Sequence, residues 1–216
     1  MKVVTLVSGG LDSTVMLWKL RSEGHSIVPL TLLTFRRNPR EIEAAKKISV
    51  VASGREPIVY DVSFLRELFD YPQHIKERVF QQFPTLPNIV IPYRNIIFYS
   101  VAAYVACLEE ADAIAGGHTR EDVERIPDVG KEFFTELENI LNKYTPFHRI
   151  KILTPVAGLM KAEIIRLGIE LGAPLQETWS CWSVFEKHCG KCPGCVSRRE
   201  VFKSVGLEDR TEYLEG

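Results

Sequence analysis

The stretch that decides the fold is LVSGGLDSTVMLWKL, residues 6–20. It begins inside an apolar run, KVVTLV at 2–7, which is typical of a strand buried on both faces. Two glycines end the run, and residues 13–23 then have the apolar spacing of a helix. Gly9 and Gly10 permit backbone angles and a close ligand approach that larger residues resist. Because the N–H groups of such a turn and of the following helix attract anions, the stretch predicts a phosphate-binding loop.

The side chains of this loop fit a phosphate or pyrophosphate site. Ser8, Ser13 and Thr14 add hydroxyl donors, and Asp12 can cap the helix or hold a magnesium ion that bridges phosphates. The loop differs from the common Gly-Lys-Ser/Thr phosphate loop, because the first lysine after it is Lys19. A strand–Gly-Gly–helix turn is also a common connection in α/β folds. The residue types of the turn alone therefore leave open whether it binds a ligand or only connects the strand to the helix.

Strand-like and helix-like segments alternate along most of the chain. Strands are expected at 26–35, 57–63, 112–117 and 150–156, and helices at 39–53, 95–111, 131–145 and 161–172. The helix over 95–111 is apolar nearly all round and is therefore expected to be buried. Residues 64–92 contain four prolines and predict a short helix followed by a long loop, and residues 118–130 predict a charged loop. The alternation predicts an α/β fold in which helices cover both faces of a parallel sheet.

Four of the five cysteines lie close together near the end of the sequence, with the spacing C-x7-C-x2-C-x2-C. This spacing predicts a metal site formed by Cys181, Cys189, Cys192 and Cys195. Four thiolates leave no open coordination position, so a bound zinc ion would be structural. His188 is then expected at the surface or beside the ligands, and Cys107, alone in an apolar helical stretch, is expected to fill the core.

Composition excludes some classes of function. The 216 residues carry a net charge of −1, with 45% hydrophobic and 25% charged residues. This charge gives no general attraction to nucleic acid or to an anionic membrane, so neither is expected as a partner. The apolar run at the start is too short for a secretion signal or a membrane span. We therefore expect a cytoplasmic protein.

Two motifs together resemble a known family. SGGLDS, at 8–13, resembles the PP-loop motif SGG-x-DS of the ATP pyrophosphatase superfamily, whose members activate acids by adenylation. With the four cysteines, it resembles the 7-cyano-7-deazaguanine synthase (QueC) family. VIPYRNIIF (90–98), GGHTREDVERIPDVGKEFF (116–134) and TPVAGLMKAEII (154–165) resemble further stretches of that family. The chain departs from the family pattern at 34–41 (TFRRNPRE), at Glu124-Arg125-Ile126, at Val129-Gly130 and at Thr119.

The resemblance implies a Rossmann-like (HUP-type) fold. It places a PP-loop nucleotide-binding domain at 1–172 and a zinc-binding subdomain at 173–216. The implied residues group by role: the ATP loop is Val7, Ser8, Gly9, Gly10, Leu11, Asp12, Ser13 and Thr14; the catalytic residues are Asp12, Arg94 and Lys161; and the substrate residues are Asn95, Asp122 and Asp128.

The implied reaction is ATP-dependent conversion of 7-carboxy-7-deazaguanine and ammonia to the nitrile through an acyl adenylate. Zinc, ATP with Mg²⁺ and a homodimer are implied with it. Several positions also have purely structural interpretations. Lys161 fits an exposed lysine at a helix start, Arg94 fits a surface ion pair, and Asp122 and Asp128 fit solvated loop acids.

Three alternative functions remain open. The departures lie around the expected substrate loop, so the chain could be a paralogue that adenylates another carboxylate. A PP-loop enzyme that thiolates tRNA is a second alternative, although such enzymes usually carry a catalytic cysteine pair and a basic surface, and here only Cys107 lies outside the cluster. A nucleotide-binding sensor without turnover is the third.

Overall fold

The computed structural model describes residues 1–84, 86, 90–145 and 147–214. The strands are β1 (Lys2–Leu6), β2 (Ser26–Leu33), β3 (Ile58–Asp61), β4 (Ala113–Ala115) and β5 (Lys151–Leu153). The α-helices are α1 (Leu11–Ser22), α2 (Pro39–Ser53), α3 (Gln73–Gln82), α4 (Arg94–Leu108), α5 (Arg120–Arg125), α6 (Lys131–Tyr144), α7 (Lys161–Glu170) and α8 (Pro193–Ser204). Part of the loop predicted before residue 92 (residues 85 and 87–89) lies outside the described residues.

The five strands form one parallel sheet in the order β3-β2-β1-β4-β5. Val4 of β1 lies opposite Val28 of β2 on one side and Ile114 of β4 on the other. This is the strand order of the doubly wound nucleotide-binding fold, and its direction reverses between β1 and β4. Ligands of such sheets bind at the carboxyl ends of the strands beside this reversal, where the loop after β1 lies. The predicted α/β class with a parallel sheet is confirmed.

Both faces of the sheet are covered, as two separate apolar clusters show. Val3 faces a cluster to which α1, α2 and α7 contribute, and the adjacent Val4 faces a second cluster with α4 and α6. Successive side chains of a strand point to opposite faces, so β1 serves both cores. Leu175 and Phe202 pack into the first cluster, which joins the C-terminal segment to the α/β core. A boundary between two units at residue 172 therefore stays a prediction.

Two predictions about helices need correction. The predicted charged loop at 118–130 instead contains α5 and a 3-10 turn at Pro127–Val129. Its start is fixed by Thr119, whose backbone N–H and hydroxyl both donate to Asp122 Oδ2, at 2.9 and 3.0 Å. Such a Thr-x-x-acid pattern is a helix-start signature.

The helix predicted to be buried all round is buried on one face only. The structure places α4 against the sheet through Tyr99, Ala102 and Ala106, while Ile96, Tyr104 and Leu108 remain exposed. A long apolar helix is therefore compatible with one covered and one open face. Among the described residues, none of the helices combines the length and apolarity that crossing a bilayer requires.

Candidate active site and cysteine cluster

The predicted phosphate loop connects β1 to α1 and is held in shape by its own hydroxyl groups. Gly9 has φ +81°, and a Cβ there would lie 2.9 Å from the backbone nitrogen of Ala45 in α2. Glycine is therefore required for both conformation and close packing. Ser13 Oγ accepts from the Ser8 N–H at 3.2 Å, and Thr14 Oγ1 donates to the Gly10 carbonyl at 2.8 Å. The loop leads directly into the amino end of α1, and the N–H groups at such a helix end attract anions.

Asp12 lies in the first turn of α1, where no side chain caps the helix. Its carboxylate instead lies 3.3 Å from Nζ of Lys161, the first residue of α7. Burial raises the pKa of Asp12, and Lys161 opposes that shift. Burial disfavours the charge of Lys161, but Asp12, Asp122 and Glu121 together outweigh burial and raise its pKa. The structure thus brings two of the predicted catalytic residues together beside the loop.

Arg94, the third predicted catalytic residue, begins α4. Burial lowers its pKa, whereas the negative charges of Asp128 and Asp122 raise it and the positive charge of Arg37 lowers it further. These effects place the predicted substrate residues Asp122 and Asp128 in the electrostatic neighbourhood of Arg94. Asp122 also serves as the capping residue of α5, which gives it a structural role. Asn95, the remaining predicted substrate residue, is 2% exposed in the first turn of α4.

Two residues beside this site were missed by sequence reasoning. His118 follows the glycine pair at the end of β4, and its Nε2 lies 3.1 Å from the hydroxyl of the fully buried Tyr99. Burial, followed by the charge of Arg94, lowers the pKa of His118 to about 4, so it is neutral at pH 7. Arg37 donates a hydrogen bond from Nη2 to the Ser8 carbonyl of the phosphate loop. The available indications were the glycine pair for His118 and the departure from the family pattern for Arg37.

The four predicted cysteines converge, with their sulfur atoms within 4.8 Å of one another. Cys189 lies 3.9 Å from Cys195, and Cys192 lies 3.9 Å from Cys181. A tetrahedral zinc ion with Zn–S bonds of about 2.3 Å separates its sulfurs by about 3.8 Å, so the cluster has the size that zinc requires. These four side chains could therefore hold a metal ion such as zinc.

Backbone N–H groups donate hydrogen bonds to sulfur atoms of this cluster. Cys181 Sγ accepts from the N–H of Ser183 and of Cys189, both at 3.3 Å. Hydrogen bonds from the amides of Lys191 and Cys192 contribute to lowering the pKa of Cys189 to about 6. Burial raises the pKa of Cys195, an effect that a bound cation would offset because metals bind the thiolate.

The cysteine cluster is attached directly to the phosphate loop. The N–H of Trp179 donates to the Gly9 carbonyl at 2.8 Å. Asn38, the N-cap of α2, donates from Nδ2 to the carbonyls of Cys181 and Ser183, at 3.0 and 3.1 Å. The conformation of the loop and that of the cluster therefore depend on each other.

His188 is buried rather than at the surface, which corrects one of its two predicted placements. It is 2% exposed, its Nε2 accepts from the Ser180 N–H at 3.1 Å, and its ring lies 4.2 Å from that of Trp179. Burial, and then the charge of Arg198, lowers the pKa of His188 to about 4, which keeps it a neutral acceptor. The histidine thus orders the chain between Trp179 and the cysteines.

Arg198 of α8 secures the same segment from the other side. Its side chain is 1% exposed and lies 2.9 and 3.1 Å from the two carboxylate oxygens of Asp209. It also donates to the Leu175 carbonyl at 2.8 Å and to Thr178 Oγ1 at 2.7 Å. A buried ion pair therefore fixes the residues that lead into the cluster.

Comparisons with known proteins agree with these features. The family model described as "Queuosine biosynthesis protein QueC" matches residues 2–206. A "7-cyano-7-deazaguanine synthase" of Acetivibrio thermocellus is 35% identical over 99% of this chain and 98% of its own length. A protein of the same name from Saccharolobus solfataricus is 36% identical over 99% of this chain but only 48% of its own length, so the chain spans about half of that relative.

The solved structures that match this chain have lower sequence identity to it. A 4-thiouridine synthetase in complex with RNA and ATP matches with TM-score 0.48 and 16% identity, over 95% of this chain and 50% of that one. A predicted tRNA methyltransferase subunit from Methanocaldococcus jannaschii matches with TM-score 0.46 and 20% identity, over 83% of this chain and 92% of that one.

The sequence comparisons combine nearly complete coverage with higher sequence identity than the structural ones. The QueC model spans nearly the whole chain, and a relative from Nitratiruptor, also named "7-cyano-7-deazaguanine synthase", is 33% identical over 99% of both chains. The parallel sheet, the loop after β1 and the four convergent cysteines lie within the matched residues. On this evidence the chain belongs to the QueC family.

Proposed function

We propose that this chain is an ATP-dependent ligase that converts 7-carboxy-7-deazaguanine and ammonia to 7-cyano-7-deazaguanine. The observation that carries the proposal is the Asp12–Lys161 pair, which joins the loop after β1 to the start of α7 at the reversal of strand order. A glycine loop, a helix N-terminus and a lysine meet at this point, and each favours bound phosphate. The names of the relatives supply the acceptor.

Two activations complete the reaction. The acceptor carboxylate attacks the α-phosphate of ATP, the bond to the pyrophosphate breaks, and an acyl adenylate forms. Ammonia then displaces AMP and leaves the amide. Adenylation of the amide oxygen by a second ATP, followed by loss of AMP and two protons, gives the nitrile. The two carboxylate oxygens thus leave on two molecules of AMP, and two molecules of pyrophosphate are released.

The residues would contribute mainly position and charge, as is usual in phosphoryl chemistry. In the proposal, the amides of the loop hold the pyrophosphate and Lys161 stabilises the negative charge that develops when it leaves. Arg94 would hold the carboxylate or a phosphate with its planar guanidinium group. Val7, Ser8, Gly9, Gly10, Leu11, Asp12, Ser13 and Thr14 form the proposed ATP loop, and Asn95, Asp122 and Asp128 the proposed contacts to the acceptor.

Two metal ions belong to the proposal. Mg²⁺, when bound with ATP, would neutralise phosphate charge, and we infer that Asp12, in the first turn of α1, and Asp122, in the first turn of α5, would be the carboxylates that hold it. Zn²⁺ would bind Cys181, Cys189, Cys192 and Cys195 and would be structural, since four thiolates complete its coordination.

The proposal is tested by incubating the protein with ATP, MgCl₂, ammonium and 7-carboxy-7-deazaguanine, and following the nitrile by mass spectrometry and AMP by chromatography. Asp12→Asn and Lys161→Met should each lower turnover about a hundredfold or more, because each removes a group beside the transferred phosphate. Lys131→Met, at the exposed start of α6, is the matched control and should keep full activity. ATP binding without any product would support a sensor. AMP formation with another acid would support a paralogue.

We also infer a homodimer in the cytoplasm that uses only small-molecule substrates. The exposed apolar side chains of Ile96, Tyr104 and Leu108 on α4 support a covered face in an assembly. Light scattering on the purified protein tests the dimer, and a monomeric mass at micromolar concentration would contradict it.

A further inference from the structure

A cavity lies beside the loop after β1, and neither Asp12 nor Lys161 lines it. Its volume is about 560 Å³, within the range of small-molecule sites. It lies between the chain after β2, the start of α2, the start of α4 and the cysteine cluster. Its principal lining residues are Phe35, Arg37, Glu67, Arg94, Phe98 and Trp182.

Three arginines line this cavity, Arg36, Arg37 and Arg94, and Arg37 also contacts the loop. Arg37 donates from Nη2 to the Ser8 carbonyl, while its Nε lies 2.8 Å from Glu41 Oε2. None of the hydrogen bonds within the described part of the chain uses Nη1 of Arg37. Arg37 lies near enough to Arg94 for its positive charge to contribute to lowering the pKa of Arg94, after the larger effect of burial. The cavity therefore presents the guanidinium groups of Arg37 and Arg94, of which Arg37 contacts the loop after β1, and such groups suit a carboxylate.

The remaining walls suit a flat ring. Phe98 and Trp182 supply apolar surface, and Trp182 is 57% exposed, as an aromatic side chain without a stacking partner would be. Phe35 is held from one side by the Arg66 guanidinium, 3.4 Å from the ring centre. Glu67 adds a carboxylate, which accepts hydrogen bonds from the N–H groups of an amino-substituted heterocycle.

We propose that this cavity is the acceptor subsite, and that Arg37 determines its preference for an aromatic acid over the same ring without the acid. The ring lies against Phe98 and Trp182, and the carboxylate lies between Arg37 and Arg94, facing the phosphate loop. Glu41 holds Arg37 in position from α2, so the selecting charge is already oriented before the acceptor enters. The assignment rests on the proposed function for the identity of the acid, but its geometry concerns any flat aromatic carboxylate.

The experiment compares binding and turnover in the full-length protein. Arg37→Gln removes the charge, and Arg37→Lys restores the charge without the planar guanidinium group. Arg40→Gln, at the second residue of α2 and in an ion pair with Glu43, is the matched control. The ligands are 7-carboxy-7-deazaguanine and 7-deazaguanine, which differ only in the carboxylate, and ATP. Calorimetry gives the affinities, and initial rates give KM and kcat.

Arg37→Gln should weaken acid binding and raise the acceptor KM by about tenfold or more, because it removes a charge-assisted hydrogen bond. Its preference for the acid over 7-deazaguanine should collapse, its ATP affinity should change much less than its affinity for the acid, and Arg37→Lys should recover part of the preference. Unchanged acid affinity in Arg37→Gln, or an equal loss in Arg40→Gln, would overturn the assignment. Binding of the acid that depends on Arg37, without turnover, would refute the proposed function but support the subsite. Turnover that is unchanged in Arg37→Gln would support the proposed function but refute the subsite.

Discussion

Replacing Arg198 with methionine should be among the most destabilising single changes in this chain. The side chain is 1% exposed, and its partner Asp209 is 8% exposed. The substitution Arg198→Met keeps much of the volume but leaves the Asp209 carboxylate buried without its cation. It also removes the donors to the Leu175 carbonyl and to Thr178. Breaking a buried pair in this way costs about 3–5 kcal/mol of unfolding free energy.

The loss is measurable in two ways. For a protein of this size, 1 kcal/mol corresponds to about 2–4 °C, so the Tm should fall by about 6–20 °C. Urea titration gives the free energy directly, provided the m-value is unchanged. Arg166→Met, at an exposed position of α7, is the control and should stay within about 0.5 kcal/mol of the parent.

A double variant separates the ion pair from simple loss of packing. Asp209→Asn keeps an acceptor for Tyr213 Oη, which lies 2.6 Å from the carboxylate. Combined with Arg198→Met, it should cost clearly less than the sum of the single changes, because the buried charge is then absent. Additive effects, or a loss below about 1 kcal/mol in Arg198→Met, would refute the role given to the pair.

Three further predictions concern acid, metal and the loop. Burial disfavours the ionised form of Asp209, but the interactions with Arg198 outweigh burial and lower the pKa of the carboxyl. The stabilisation by ionised Asp209 is therefore complete above the unfolded pKa of about 3.9 and is lost as the pH falls through the lower folded pKa. The difference in thermal stability between the parent and Asp209→Asn should accordingly shrink below about pH 4. Cys192→Ser or a strong chelator should lower the Tm and release about one zinc per chain, as elemental analysis would show, whereas Cys107→Ser should do neither. Gly9→Ala should reduce ATP affinity at least about tenfold in calorimetry, because the added Cβ would clash with α2 and the φ of Gly9 is positive. Gly158→Ala should bind ATP normally, because among the described residues no atom lies within 4 Å of the added Cβ.

Much of the fold was predictable because local patterns of apolar residues indicate its strands and helices. Apolar runs and helical spacing fixed the parallel α/β class, and α2 occupies the predicted residues 39–53. The loop predicted at 118–130 was wrong because high charge alone is not evidence against a helix. The hydrogen bond between Thr119 and Asp122 starts a helix there. For α4, apolar content indicated burial without showing which face is covered.

In the candidate site, too, local patterns predict some of the residues but not others. The four cysteines lie within fifteen residues, so spacing alone indicates that they can converge. Asp12 and Lys161 are far apart along the chain, and only the family resemblance related Lys161 to the phosphates. The placement of Arg37 and His118 depends on how α2 and β4 pack around the loop, which no local pattern encodes.

The hydrogen bond from the Trp179 amide to the Gly9 carbonyl has a consequence for biosynthesis. Translation proceeds from the amino end, so the glycine turn leaves the ribosome long before its partner amide is made. A nascent chain that has emerged only as far as α7 lacks the contact that fixes this turn, whatever the state of its sheet. The turn therefore acquires this contact only after the cysteine-bearing segment has been synthesised and has folded back over the loop that follows β1.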